Sequence, residues 1–355
     1  MNRASQSATF PLLNDYQRDF PLVSAPFAHI GAAQGLTEAE VLAQYRRWHE
    51  EGVVNRIGAV FAPRRVGAST LAALQAPPER LEWVASRVSA HPEVNHNYGR
   101  EHAYNLWFVV TAPDAKRLQS VLTAIEAETG CPVISLPLVE EFHIDLGFDL
   151  RGEPAVRQPV LAVPSLEHPI ALNAEEQALM PLLQEGLSLE AHPFKSLAYR
   201  AGLTEERLLA FIGEWLERGI LKRFGVVVRH HELGYTANAM CVWAVPEEQV
   251  SALGTRLAAE PGVTLCYRRR AQEPHWPYNL FCMIHGKARE EVVAQRQHLA
   301  ERLGLDTWPH DLLFSTRRYK QTGARYAPHP HPVPAPAGEP ALANAWPGDR
   351  KAAHG

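Results

Sequence analysis

Apolar residues Leu179, Leu182 and Leu183 recur at helical spacing between Glu175 and Gln184, and a shorter helical stretch follows near 194–200. After a turn at Gly202, a longer helix begins at Thr204, an N-cap residue with Glu205 and Glu206 in the first turn, and ends at Gly219. The period then shortens to a β-type run, Phe224–Val228. The first half of the chain repeats this order: Thr37 caps a helix, Glu40 completes a capping box, Gly52 ends it, and Ile57–Phe61 reads as a strand. Three helices and a β-wing predict a winged helix-turn-helix in each half. Beyond it the pattern alternates. Strands are expected at 236–245, 263–268, 278–284 and 312–319, with helices at 247–259 and 287–303. That β-α-β-β-α-β order is ferredoxin-like, and residues from about 69 to 149 give it again.

The repetition extends to residue identity. Shifting residues 26–67 by 167 lays them on 193–234 without a gap, with Gly35-Leu36-Thr37-Glu38 over Gly202-Leu203-Thr204-Glu205 and Trp48, Arg56 and Gly58 over Trp215, Arg223 and Gly225. Tyr98 and Arg100 fall on Tyr267 and Arg269, and Tyr104-Asn105-Leu106 on Tyr278-Asn279-Leu280. A unit of this length is a pair of domains, not a solenoid repeat. The expected architecture is α+β: a winged helix-turn-helix at 12–68, a ferredoxin-like domain at 69–150, a proline-rich linker at 151–172, then the same two domains at 173–235 and 236–326, forming an internal pseudo-dimer. The Pro/Ala-rich tail 327–355 is expected to be disordered.

Composition narrows the chemistry. A net charge of -4 gives no general attraction to nucleic acid or anionic membrane. No run of 18 apolar residues is present, and the first twenty residues lack the apolar core of a signal peptide. Cys131, Cys241, Cys266 and Cys282 show no CxxC spacing, which fits a reducing cytoplasm better than a disulfide framework or a zinc site.

Several strings are more specific. In the second half they are Arg223 through Tyr235 (RFGVVVRHHELGY), Cys266-Tyr267-Arg268-Arg269, and Trp276-Pro277-Tyr278-Asn279-Leu280-Phe281-Cys282-Met283-Ile284-His285-Gly286. In the first half they are Arg56-Ile57-Gly58-Ala59-Val60-Phe61, Asn95-His96-Asn97-Tyr98, Arg100-Glu101-His102 and Asn105-Leu106-Trp107-Phe108. Together they resemble siroheme decarboxylases, a derived branch of the Lrp/AsnC-like proteins, over about residues 12–326. The two-copy layout resembles the fused form of heme d1 biosynthesis. The resemblance implies removal of carboxyl groups from two acetate side chains of siroheme, giving didecarboxysiroheme. It implies no separate cofactor, since siroheme brings its own iron. It further implies partnership with homologous subunits or self-association, and no nucleic acid or membrane partner.

The alternatives are an Lrp/AsnC-type DNA-binding regulator and a heme-binding sensor without turnover. Against the regulator, helix 37–51 sets Glu38, Glu40, Glu50 and Glu51 against Arg46 and Arg47, and helix 204–218 is also net acidic, where a major-groove helix needs cations. For an enzyme the expected catalytic groups are His230, His231, His96 and His102, with His230 a possible axial ligand to the substrate iron; sequence does not separate the acid from the ligand role. The expected substrate-binding groups are Arg223, Arg268, Arg269, Arg270, Arg100, Tyr98, Tyr267 and Tyr278, since arginine pairs with carboxylates bidentately. The cleft between the two ferredoxin-like sheets is the expected site. Glu140 and Glu141 lie where the other copy has Arg317 and Arg318, which suggests that acidic and basic strands face each other.

Overall fold

The computed structural model describes residues 10–62, 65–144, 170, 172–228, 237–323 and 326. Most of the expected linker, the tail, and both His230 and His231 lie outside the described residues. Within them the repeat is visible as two interlocked copies arranged in two lobes.

In the first lobe, each copy supplies a helical pair: α2 (Pro26–Gln34) with α3 (Glu38–Glu50), and α7 (Pro193–Ala201) with α8 (Glu205–Glu217). These follow α1 (residues 10–14) and α6 (Ala174–Glu185) respectively. Thr37 and Glu40 form the expected capping box, and Thr204 caps α8. Phe27, Val41 and Tyr45 of one copy share a single core with Phe194, Phe211 and Trp215 of the other. The strand after each helical pair is single. β1 (Val54–Phe61) finds its partner in β7 (Leu221–Val228) of the other copy, antiparallel, with Gly58 opposite Gly225.

Both glycines are required by contact across the copies. The Phe20 N–H donates to Phe224 O at 3.3 Å, which draws the first copy's N-terminal segment onto β7, and a Cβ on Gly225 would lie 2.6 Å from Tyr16 O. The mirror contact runs from Leu187 N–H to Ile57 O at 2.7 Å, and a Cβ on Gly58 would lie 2.9 Å from Gly186 Cα.

The second lobe holds β2 (Ala68–Leu74), β3 (Val94–Arg100), β4 (Leu106–Ala112), β5 (Val133–Leu136), β6 (Leu138–Ile144), β8 (Ala237–Trp243), β9 (Val263–Arg269), β10 (Leu280–Gly286) and β11 (His310–Gln321). The strand order is β5-β2-β4-β3-β11-β8-β10-β9-β6. Each copy thus contributes a ferredoxin-like set, β5-β2-β4-β3 and β11-β8-β10-β9. The terminal strands then trespass. β11 pairs with β8 over His310–Phe314 and with β3 of the other copy over Ser315–Gln321. In the first copy Pro137 divides the equivalent strand: β5 stays with β2, and β6 crosses to β9.

Helices α4 (Leu81–Ala90) and α5 (Ala115–Thr129) cover the outer face of the first sheet with Val84, Val88, Leu122 and Ile125; α9 (Glu247–Ala258) and α10 (Arg289–Leu303) cover the second with Val250, Leu257, Val292 and Leu299. The inner faces meet. Ala73, Trp107, Ile134, Met240, Val242, Tyr267, Phe281 and Leu313 fill the space between them. Trp276, in the connection between β9 and β10, is 1% exposed and plugs this core, its ring 4.8 Å from that of Trp107. The inter-sheet cleft expected from sequence is therefore closed along its centre, because large apolar side chains gain more by meeting there than by facing water.

The charged strands also arrange themselves differently from the expectation. Glu140 and Glu141 on β6 lie beside β9, not β11; Glu140 sits opposite Arg268, and Glu141 pairs with Lys222. Arg317 pairs with Glu82 at 2.9 Å. Among the described residues no helix is long and apolar enough to cross a membrane.

Candidate functional site

Strand alternation sorts the candidate residues of β3 by face. Asn97 turns to the helix side, where its Nδ2 donates to Ala85 O at 3.0 Å. His96, Tyr98 and Arg100 take the opposite, inter-sheet face. On β9 the same face carries Leu265, Tyr267 and Arg269, while Cys266 and Arg268 turn to the helices.

Arg100 and Arg269 are the matched pair of this face, and each reaches into the other copy. Arg100 Nη1 donates to Leu313 O at 2.9 Å, and its Nη2 approaches Met283 Sδ at 3.9 Å. Arg269 Nη1 donates to Leu136 O at 2.7 Å, with its guanidinium 4.6 Å above the Tyr267 ring. The Nε of each is buried without a hydrogen-bond partner, and no carboxylate among the described residues pairs with either. Burial lowers both pKa values, opposed by the nearby Tyr267. A desolvated cation with spare donors and no counter-ion suits an anionic ligand.

The remaining candidate arginines are placed otherwise. Arg268 is ion-paired with Glu247 and lies 4.0 Å from Glu140. Arg270 is exposed, its main-chain N–H donating to Pro137 O at 3.0 Å. Arg223 is buried in the helix-turn-helix lobe, where its Nη1 donates to Gln17 O and, at 3.0 Å, to Val226 O. It is a lobe away from Arg269.

The two described candidate histidines differ in their free nitrogens. His102 Nδ1 accepts from Tyr104 N–H at 2.9 Å, which assigns the proton to Nε2, 3.3 Å from Asp311 Oδ2. Its ring lies edge-on to Trp276, so both nitrogens and one face are occupied. His96 is half-buried and stacks on Tyr98 with 6.2 Å between ring centroids. Neither of its nitrogens has a hydrogen-bond partner among the described residues, and burial pushes its pKa down to about 4. It is a neutral imidazole with both nitrogens available.

Tyr267 is buried and stacked on Phe281, and Tyr278 packs 4.9 Å from Trp276; burial and the charge of Asp311 raise the Tyr278 pKa. The repeated asparagines serve the backbone. Asn105 exchanges two hydrogen bonds with Ala76, and Asn279 does the same with Val245. Cys241, Cys282 and Cys266 lie side by side across β8, β10 and β9 as buried free thiols. Burial pushes the Cys266 and Cys282 thiols up, away from reactivity. Among the described residues no group of three His, Cys, Asp or Glu could hold a metal ion. In the second helices of the two helix-turn-helix units, Arg207 lies over Phe211 at 3.9 Å, Arg218 pairs with Glu176, and Arg46 Nη2 donates to Leu189 O at 2.6 Å.

Sequence reading passed over Arg56, although the repeat matches it to Arg223. Arg56 Nη2 donates to Ala59 O at 2.9 Å, its Nε is buried without a partner, and burial brings its pKa down to about 10. Its match to Arg223 and its place at the head of the string Arg56–Phe61 were the available signal.

Two family models match the chain. That of an AsnC-like ligand binding domain covers residues 65–143 and 232–320, and that of a siroheme decarboxylase NirDL-like HTH domain covers 11–54 and 176–221. The chain is 47% identical over 322 residues to the siroheme decarboxylase NirDL subunit of Paracoccus denitrificans, spanning 89% of this chain and 96% of that one. It is similar to the crystal structure of the siroheme decarboxylase NirDL, with a TM-score of 0.67, 31% identity and coverage of 90% and 94% of the two chains. It is also similar to NirDL in complex with an iron-uroporphyrin III analogue, with a TM-score of 0.66, 29% identity and coverage of 90% and 93%.

Proposed function

We propose that this chain, which belongs to the siroheme decarboxylase family, converts two acetate side chains of siroheme to methyl groups, giving didecarboxysiroheme for heme d1. The observation that carries the reading at the level of chemistry is the β3 face. His96, Tyr98 and Arg100 lie along about 13 Å of one strand face, four residues at roughly 3.3 Å each. That length suits a macrocycle: an imidazole at one end, an aromatic ring to lie against in the middle, and an arginine at the other end for its carboxylates.

Each decarboxylation breaks one C–C bond, releases CO2 and takes up one proton. Protonating the pyrrole carbon next to the acetate lets the electrons of the breaking bond flow toward the ring as an exocyclic methylene forms. A proton then adds to that methylene and the ring-carbon proton leaves, giving the methyl, so the substrate is its own electron sink and no separate cofactor is needed. The protein supplies the proton, the grip and a drier setting that favours neutral CO2 over carboxylate. Burial keeps His96 neutral at physiological pH. The substrate's carboxylates, brought close, favour its charged form and so load the acid when the macrocycle arrives. Arg100 and Arg269 hold carboxylates that are retained. With both nitrogens occupied, His102 positions Tyr104 and Trp276 and leaves the proton to His96. His230 and His231 remain candidates for the acid or the axial iron ligand.

A reducing cytoplasm suits the four free cysteines. The related NirDL protein is described as a subunit, which supports assembly with homologous subunits or with further copies; DNA and membranes are not partners in this reading. Anaerobic incubation of the purified chain with siroheme, followed by mass spectrometry, tests it. Loss of one and then two CO2 units is expected. Spectral binding without mass loss, with or without added homologous subunits, would leave a sensor in place of an enzyme.

A further inference from the structure

Arg56 and Arg223 are equivalent in the repeat but not in their surroundings. Arg223 has two main-chain acceptors, Gln17 O and Val226 O. The Nε of each arginine is buried without a hydrogen-bond partner. Arg56 has one main-chain acceptor, Ala59 O, and no carboxylate among the described residues pairs with it. Glycines make its room. A Cβ on Gly186 would come within 3.2 Å of the Arg56 stem, and one on Gly323 within 3.0 Å of Nη1.

Gly323 also gives the direction. In the β11–β3 ladder Gln321 is opposite His96, and the Thr322 N–H still donates to Asn95 O at 2.7 Å. Gly323 follows directly, so the Arg56 guanidinium packed against it lies beside the N-terminal end of β3, two residues past the partner of His96. Arg100 lies on the His96 face at the C-terminal end of β3. We propose that Arg56 binds a carboxylate of the tetrapyrrole at the edge opposite the one held by Arg100, so that His96 acts between two cations contributed by different lobes. This rests on the substrate reading above and adds to it a binding residue from the helix-turn-helix lobe. That lobe thereby becomes part of the substrate site.

The test uses the full chain, with iron-uroporphyrin III as probe, titrated by its Soret band while thermal unfolding is followed in parallel. Arg56→Met is expected to raise Kd about tenfold or more, the loss of a charge-assisted fork. Arg56→Lys keeps the charge without the fork and should raise Kd by a smaller factor, about threefold or more. Arg223→Met is expected to lower the unfolding temperature and leave Kd within about twofold. An Arg56→Met protein that unfolds like wild type and binds within twofold of it overturns the proposal. If that variant does not fold, Arg56→Lys binding within twofold of wild type does the same. Failure of the wild-type chain itself to bind the probe would count against the substrate reading instead.

Discussion

His96→Leu is a substitution the protein already tolerates once, since Leu265 holds the matching position of β9. It should therefore fold. Its effect on stability has a sign that can be worked out. In the folded chain burial holds the His96 pKa at about 4, against about 6.5 when unfolded. The unfolded state thus binds the proton more tightly, so wild type is unpenalised above about pH 6.5 and loses stability as pH falls from there toward 4. Between pH 7 and pH 5 those two values correspond to roughly 2 kcal/mol, and partial exposure of the ring brings this to about 1–2 kcal/mol. Leucine has no such proton. Urea unfolding at pH 7 and pH 5 should show wild type losing about 1–2 kcal/mol more than the variant between the two. Other titrating groups cancel in the difference. The same variant should lose decarboxylation by about 100-fold or more if His96 is the acid. Equal pH slopes would refute the buried neutral imidazole, and retained turnover would refute its proton-donor role.

Other outcomes follow from particular contacts. Arg100→Met should weaken iron-uroporphyrin binding by about 10- to 100-fold, from the roughly 1.5–3 kcal/mol of a hydrogen bond to a charged group; a Soret titration measures it. Gly225→Ala should destabilise by about 2–3 kcal/mol or more in thermal unfolding, because its Cβ would crowd Tyr16 O at 2.6 Å. Gly213→Ala, in α8 with nothing within 4 Å of the new Cβ, should instead stabilise by up to about 1 kcal/mol. A protease site placed in segment 151–169 should yield two fragments that still elute together in size exclusion, since β6 and β11 each pair with the other copy.

Local structure was legible in the sequence because it is written locally. The Thr37 capping box, the Thr204 cap and the strand-helix order all depend on neighbours in the chain, and the structure has them where the pattern puts them. The Arg100/Arg269 pair was legible through the repeat. What sequence left out is pairing at a distance. Nothing in Leu138–Ile144 says that this strand belongs beside β9, so Glu140 and Glu141 were matched with Arg317 and Arg318 rather than with Arg268 and Lys222. Nothing local in 271–276 says that this segment closes the space between the sheets; the packing of Trp276 against Trp107 and Tyr104 shows a plug in a core. Arg56 was overlooked although it opens a family string, because what separates it from Arg223 is the number of main-chain acceptors the fold gives each guanidinium.

His96 occupies the position that Leu265 holds in the other copy, and this bears on how such a site can change. In an assembly of two identical chains every substitution appears twice, so a buried imidazole that improves chemistry at one position must also be accommodated at its twin. Here each change enters once. The second strand can keep its leucine and its packing while the first carries a buried imidazole that costs stability in acid. Joining the copies in one polypeptide thus halves the structural burden of any experiment on the site, and it allows the two faces to answer to different parts of a substrate that is itself unsymmetrical.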